Sequence, residues 1–249
     1  MILDELVAAA QVRADALPDS FPKTERTHIS LLDSIRKAEM NAVIAELKYA
    51  SPSRGVIKEE QSSAGVVADL IRGGACALSV LTEPTRFAGS PDTIPAIRDM
   101  VPVPILRKDF IVDVRQLDET QALGADAVLL ISSVLGDDLD YFVRETRRRG
   151  LEPLVEVHTR QEAKHVLDTG ADLIGINNRN LMTFVTDLST TKRISPILRQ
   201  AGRTVISASG VIWPCDIRTL SRFADGFLIG SSIMASQSPR KRLEGFVYA

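Results

Sequence analysis

The chain has 249 residues, 45% hydrophobic, 25% charged and 5% aromatic, with a formal net charge of −2. That composition argues against a disordered or fibrous chain, and a parallel barrel of about 250 residues can form one domain. The lack of a basic surplus or stacking aromatics speaks against a nucleic-acid partner; no apolar run reaches the roughly 18 residues of a membrane span, and the acidic start MILDELVAAAQVRADAL is unlike a signal peptide, so the expected compartment is the cytoplasm.

In chain order, the first 41 residues carry two amphipathic stretches, DELVAAAQVRADAL and ISLLDSIRKAEM, read as a helical extension packed on the rest of the fold. Then short apolar runs alternate with helical stretches. The runs are AVIAEL at Ala42, GGACALSVL at Gly73, PILR at Pro104, LGADAVLLI at Leu123, PLVEV at Pro153, TGADLIGIN at Thr169, TVIS at Thr204 and FADGFLIG at Phe223. Four of them share a rhythm: a small or glycine-containing turn, an alanine, often an aspartate, then the apolar run. The glycine predicts a left-handed helix C-cap, and the unbroken apolar run predicts a strand covered on both faces. Between them, SAGVVADLIRGG, DDLDYFVRETRRRG and TRQEAKHVLDTG place apolar residues at helical spacing behind good N-cap residues. Eight strands separated by helices predict right-handed βαβ units and an α/β fold, the (β/α)8 TIM barrel, as one domain over 1–249 with residues 1–41 as its N-terminal helical extension. An open doubly wound sheet is the alternative. No glycine-rich nucleotide-binding turn follows any strand, which favours the closed barrel. Cys76 and Cys215 lie far apart without metal-ligand spacing and are expected to be buried packing residues.

In such a barrel the chemistry sits at the C-terminal strand ends. Strand one ends in AELKYASPSRG, where Glu46 and Lys48 are two apart and share a side, expected to be the lumen; the plain alternative is an internal ion pair without a role. Strand three ends in LRKDF and puts Lys108 at the rim, where a solvated lysine is equally open. Strand five ends in LVEVH, with Glu156 a lone acid in an apolar run, a costly placement without a purpose. His158 is read as pointing to the opposite face and as structural; His28 and His165 have nothing to recommend them as ligands. Strand six ends in INNRNL, bringing Asn177 and Arg179 onto one side. Strands seven and eight end in SASG and LIGSSIM, and glycine and serine there supply backbone N–H groups suited to a phosphate. The residues alone thus give a barrel without a metal-ligand cluster, with acids and bases around a sugar-phosphate site, and go no further.

The segments IAELKYASPSRG, SVLTEPTRFAGS, PILRKDFIVD, QLDETQALGADAVLLI, LVEVHTRQEA and IGINNRNL resemble, in order, the blocks of the indole-3-glycerol phosphate synthase family, over about Leu31 to Met234. That resemblance implies a lyase of tryptophan biosynthesis that converts 1-(o-carboxyphenylamino)-1-deoxyribulose 5-phosphate to indole-3-glycerol phosphate, losing carbon dioxide and water, with no metal and no organic cofactor. It implies Lys108 as the general acid of ring closure and Glu156 as the acid-base glutamate of the dehydration. Lys48 matches a residue that contacts the phosphate and carboxylate region and can also act as an acid, so the division of proton steps between the lysines stays open. Glu46 and Asn177 match groups that orient substrate hydroxyls and the catalytic side chains, Arg179 a carboxylate-holding guanidinium, and Phe110 a residue packed on the aromatic ring. Ser51, Ser209, Gly210, Gly230 and Ser231 match substrate and phosphate contacts. The partner implied is a small sugar-phosphate substrate, with other enzymes of the pathway as candidates. One position departs: the family usually ends strand seven in Glu-Ser-Gly, and here it is Ala208-Ser209-Gly210. Ser207, a water or a rotated substrate hydroxyl is expected to take up the lost contact. Two rival readings are another phosphosugar barrel, such as phosphoribosylanthranilate isomerase, which expects a cysteine and aspartate pair where strand one has Glu46 and Lys48, and a binding barrel without turnover.

Overall fold

The computed structural model describes residues 2–22, 26–51, 55–57, 63–181 and 183–249. Eight parallel strands close into a barrel: β1 (Val43–Leu47), β2 (Ala77–Leu81), β3 (Ile105–Lys108), β4 (Ala127–Ile131), β5 (Glu152–Val157), β6 (Leu173–Asn177), β7 (Thr204–Ala208) and β8 (Gly226–Ile229). Each pairs with the next, and β8 returns to β1 with Phe227 opposite Val43, so no strand edge stays open. Every one falls on an apolar run expected from the sequence, because residues buried on both faces leave no polar alternation to mislead. Ile44, Leu106, Leu129, Leu154, Leu173, Ile206 and Leu228 form one apolar cluster that fills the lumen, and the opposite faces pack under the helices.

The left-handed glycine expected after helices is present at Gly74 and Gly124, with φ of 89° and 87°. At Gly170 it is absent: the helix Arg160–His165 runs into a 3-10 turn, Val166–Asp168, and Thr169 is extended. A Cβ at Gly170 would stand 2.6 Å from Arg147 Nη1, so that glycine makes way for a side chain. In FADGFLIG the glycine, Gly226, lies inside β8 and caps nothing.

The extension forms two helices, α1 (Ile2–Asp15) and α2 (Leu31–Arg36), the second shorter than its amphipathic stretch. α1 lies at the C-terminal end of the barrel, where Arg13 reaches Asp109 at 2.7 Å and Glu83 at 3.5 Å, both just past strand ends. α2 and the residues before it close the other end. Leu32 N–H donates to Glu152 Oε2 at 2.8 Å, Ser34 to the Cys76 carbonyl at 2.5 Å, and Arg36 to Thr204 Oγ1 at 3.2 Å, all at strand beginnings. His28 Nε2 sits 2.8 Å from the Asp126 carbonyl, a structural contact. The cysteine expectation fails at Cys215, which is exposed in the first turn of the helix Pro214–Leu220 on the outer face. Cys76 is half-buried, and burial pushes its thiol up to about 12.

Candidate active site

The C-terminal strand ends surround a cavity of about 620 Å³, within the roughly 300–1,000 Å³ usual for small-molecule sites. Glu46, Lys48, Lys108, Glu156, Arg179, Ser209, Gly210, Gly230 and Ser231 all line it. Among the described residues its charged lining comprises three cations and two carboxylates, a balance that favours an anionic ligand.

Alternation along β1 sends Glu46 inward after Ile44, and Lys48 follows it to the rim with Nζ 2.9 Å from Glu46 Oε1. Burial alone would push the Glu46 carboxyl up, but Lys48, Lys108 and Arg179 outweigh it and hold the group below the usual carboxylate range. The internal ion pair does form, and it forms in the cavity wall. Only glycine at 230 permits it: a Cβ there would come 2.6 Å from Glu46 Oε1 and 3.0 Å from its Cβ.

Lys108 is aimed by its neighbours. With Leu106 and Lys108 inward, Arg107 and Asp109 turn outward under the helices. Arg107 donates to the Gln116 carbonyl at 3.1 Å and Thr120 at 3.0 Å and pairs with Glu119 at 2.7 Å; Asp109 accepts from Thr82 at 2.6 Å and from the Phe110 N–H at 2.8 Å. Phe110 is buried in the apolar cluster that holds Leu6 and Ala10 of α1 together with Ala208 and Leu228 of the cavity wall, and is not itself among the residues that line the cavity.

Glu156, 3% exposed, accepts from Asn177 Nδ2 at 2.9 Å, while Asn177 Oδ1 accepts the Arg179 N–H at 3.0 Å. The expectation for His158 is overturned. Two residues beyond Glu156 is the same side of the strand, and His158 Nε2 stands 3.5 Å from Glu156 Oε1. The Ser207 expectation fails too: its hydroxyl is wholly buried and bonded to Asn178 and Thr191 on the helix side of β7.

The loops after β6, β7 and β8 complete the site. Ser209 and Gly210 follow each other in the left-handed region, at φ of 66° and 87°, and a Cβ at Gly210 would meet Thr186 at 2.4 Å. Ser232 Oγ donates to the Val211 carbonyl at 2.9 Å and ties the last two loops together. The first N–H groups of the helix Ser231–Met234 have no partner within that helix and open beside Gly230. Ser51 lies in a two-residue hairpin, Ala50–Ser51 with Gly55–Val56; its side chain, and all of residues 52–54 of the strand-one motif, fall outside the described residues.

Five of the described cavity residues escaped the sequence reading: Phe184, Thr186, Leu188, Val211 and Ile212. They arrive on loops whose path follows no periodic pattern and is held by specific contacts, such as the isolated bridge between Arg179 and Thr186 and the Arg179 bond to the Phe184 carbonyl at 3.1 Å. Phe184 is itself left-handed, at φ 58°, a strained state for an aromatic residue. Asn178 was also missed; its amide donates to Ser207 Oγ and to the carbonyls of Ala208 and Ser209 at 3.0–3.1 Å and so fixes the strand-seven turn. Its signal was available, since an asparagine facing away from the lumen at a strand end needs partners.

A family model described as indole-3-glycerol phosphate synthase matches residues 4–246. Proteins of that name from Carboxydothermus hydrogenoformans (45% identical, 81% of this chain, 77% of the relative), Methanocaldococcus jannaschii (40%, 90% and 85%) and Thermoanaerobacter sp. strain X514 (38%, 99% and 97%) are similar to it. A solved structure from Aquifex aeolicus superposes with a TM-score of 0.64 at 14% identity, over 86% of this chain and 96% of that one, a likeness of fold.

Proposed function

Because the chain belongs to the indole-3-glycerol phosphate synthase family, we propose that its barrel mouth closes the indole ring with Lys108 as general acid and Glu156 as the acid-base carboxylate. The activity is that of a carboxy-lyase of tryptophan biosynthesis. The ring carbon bearing the carboxylate attacks the ketone carbon of the carboxyphenylamino-deoxyribulose phosphate while Lys108 gives a proton to the ketone oxygen. Loss of carbon dioxide returns its bonding electrons to the ring. The new hydroxyl then takes a proton and leaves as water while the adjacent carbon gives one up, with Glu156 handling that exchange.

The other side chains bind and orient. Arg179 offers a planar fork for the anthranilate carboxylate, Lys48 reaches the phosphate and carboxylate region, and Glu46 and Asn177 orient the substrate hydroxyls and the catalytic groups. Gly210, Gly230 and Ser231 hold the phosphate through backbone N–H groups, with Ser209 and Ser51 as further substrate contacts. The reading calls for no metal or organic cofactor; chelation leaves turnover unchanged, and recovery on adding back a divalent ion overturns it. The extension and barrel act as one domain, the compartment is the cytoplasm, and other pathway enzymes are candidate partners. No helix among the described residues is long and apolar enough to cross a membrane.

The observation that carries the reading is the convergence of Lys108, Glu156 and the Lys48–Glu46 pair on one cationic cavity. Following indole fluorescence with the purified protein tests it. Lys108→Ala stops ring closure with substrate binding nearly intact, and Glu156→Gln lowers turnover by roughly 10²-fold or more. A loss of only a few fold in either removes that residue's role, and tight binding without turnover by the natural chain makes this a binding barrel.

A further inference from the structure

His158 lies just past the end of β5, with 14% of its side chain exposed and Nε2 fully buried. That nitrogen has no hydrogen-bond partner among the described residues, a costly state for a buried polar atom unless it serves a neighbour. It faces Glu156 Oε1, 3.5 Å away. On the ring's other side Nδ1 stands 3.6 Å from Glu162 Oε2, and the same carboxylate oxygen accepts the His158 backbone N–H at 2.7 Å. Glu162 is itself fixed, since Thr159 caps the helix Arg160–His165 and bonds Glu162 at both its N–H and its carboxylate, each at 3.1 Å.

The contacts of Asn177 and His158 to Glu156 both fall on Oε1, which leaves Oε2 for the substrate. We propose that His158 is a positioning residue for the ring-closing reaction: its imidazole, held beside Glu162, steadies the Glu156 carboxylate from behind and fixes its orientation toward the cavity. This rests on the acid-base role given to Glu156 above. The charged groups facing the ring are Glu156 on β5, Glu162 on the following helix and Lys108 from β3. Burial lowers the imidazole's affinity for a proton, and Lys108 adds to that; Glu162 and Glu156 more than offset both, so His158 holds its proton above the usual histidine range. The contribution is therefore complete below about pH 6.5 and is lost as pH rises through the raised value.

The test compares the intact natural enzyme with His158→Gln, His158→Asn and Glu156→Gln. The His158 variants are expected to lose roughly tenfold in kcat, with KM changed less than about threefold, because a positioning group acts on the reacting carboxylate and not on the bulk of substrate binding. His158→Gln, whose amide reaches toward the Nε2 position, is expected to retain more activity than His158→Asn, and the loss in both is largest at low pH and shrinks as pH rises. An NMR titration of the imidazole resonances needs no His158 variant except for assignment among the three histidines. In the natural enzyme His158 titrates above the usual histidine value, and in Glu156→Gln its value falls. Unchanged kcat in both His158 variants, or a titration indifferent to Glu156→Gln, overturns the inference. If Glu156→Gln keeps nearly full turnover, it is instead the acid-base assignment that fails.

Discussion

Ala208, 4% exposed, sits in the cavity wall beside Leu228, where the family resemblance leads one to expect the carboxylate of a Glu-Ser-Gly ending. Glu156, Lys108, Asn177 and the Lys48–Glu46 pair all converge without it, so its role elsewhere is best read as orientation. One hydrogen bond to a substrate hydroxyl is worth on the order of 1 kcal/mol, and Ser207 faces away and cannot restore it. Installing it by Ala208→Glu is expected to change kcat/KM by less than about tenfold across a pH series; a gain above roughly 10²-fold means that the missing group carries a proton. Gly230 is the opposite case, a residue with no side chain on which the site depends. Gly230→Ala drives a methyl into the Glu46 carboxylate and separates it from Lys48, so kcat/KM is expected to fall by about 10²-fold, since misplacement near 1 Å costs that much. Activity within threefold of the natural enzyme shows that the pair does not need its present geometry.

At the level of elements, β3 and the turn after it show how a barrel aims a side chain. Gln116 is 2% exposed; its Oε1 accepts the N–H groups of Val112 and Asp113 at 2.7 and 3.0 Å, and its Nε2 donates to the Phe110 carbonyl at 3.1 Å. Truncation leaves the buried Phe110 carbonyl and the half-buried Val112 and Asp113 N–H groups unpaired, at about 1–3 kcal/mol. Gln116→Ala is therefore expected to lower the melting temperature and to reduce kcat more than KM, because Lys108 loses its support; a variant with lowered stability and unchanged kcat detaches this turn from catalysis. The strands were legible because two-sided burial writes an unbroken apolar run, and inward charges were legible wherever parity was applied, as at Glu46 with Lys48 and Asn177 with Arg179. His158 was misread by misapplying that same parity. Gly170 broke the capping rhythm because the helix before it runs out through a 3-10 turn into an extended Thr169, and Phe184, Thr186, Leu188, Val211 and Ile212 were invisible because the loops that carry them follow no periodic pattern.

At the scale of the whole molecule, the extension touches both ends of the barrel, and its lower attachment centres on one carboxylate. Asp126 is fully buried; Oδ1 accepts from the Ile29 N–H at 2.9 Å and pairs with Arg26, while Oδ2 accepts from Arg98 at 2.7 Å and from the Ile105 N–H at 2.8 Å. The same side chain thus holds the segment leading into α2, the start of β3 and a buried arginine. Removing it strands the Arg98 charge at 8% exposure and orphans two N–H groups, so Asp126→Ala is expected to cost about 3–5 kcal/mol. For a chain of this size that is roughly 6–20 °C in melting temperature. Arg26, 29% exposed, can be rehydrated, so Arg26→Ala breaks only the extension's side of the junction and costs about 1 kcal/mol. The chain's single tryptophan, Trp213, stands at the opposite end, stacked with Arg242 4.8 Å from its ring centroid, and reports barrel unfolding independently of α2. If extension and barrel are one cooperative unit, Trp213 fluorescence and far-ultraviolet dichroism give the same midpoint in the natural chain and in both variants. A dichroism transition that precedes the Trp213 transition in Asp126→Ala shows the extension melting by itself, and the single-domain reading then fails.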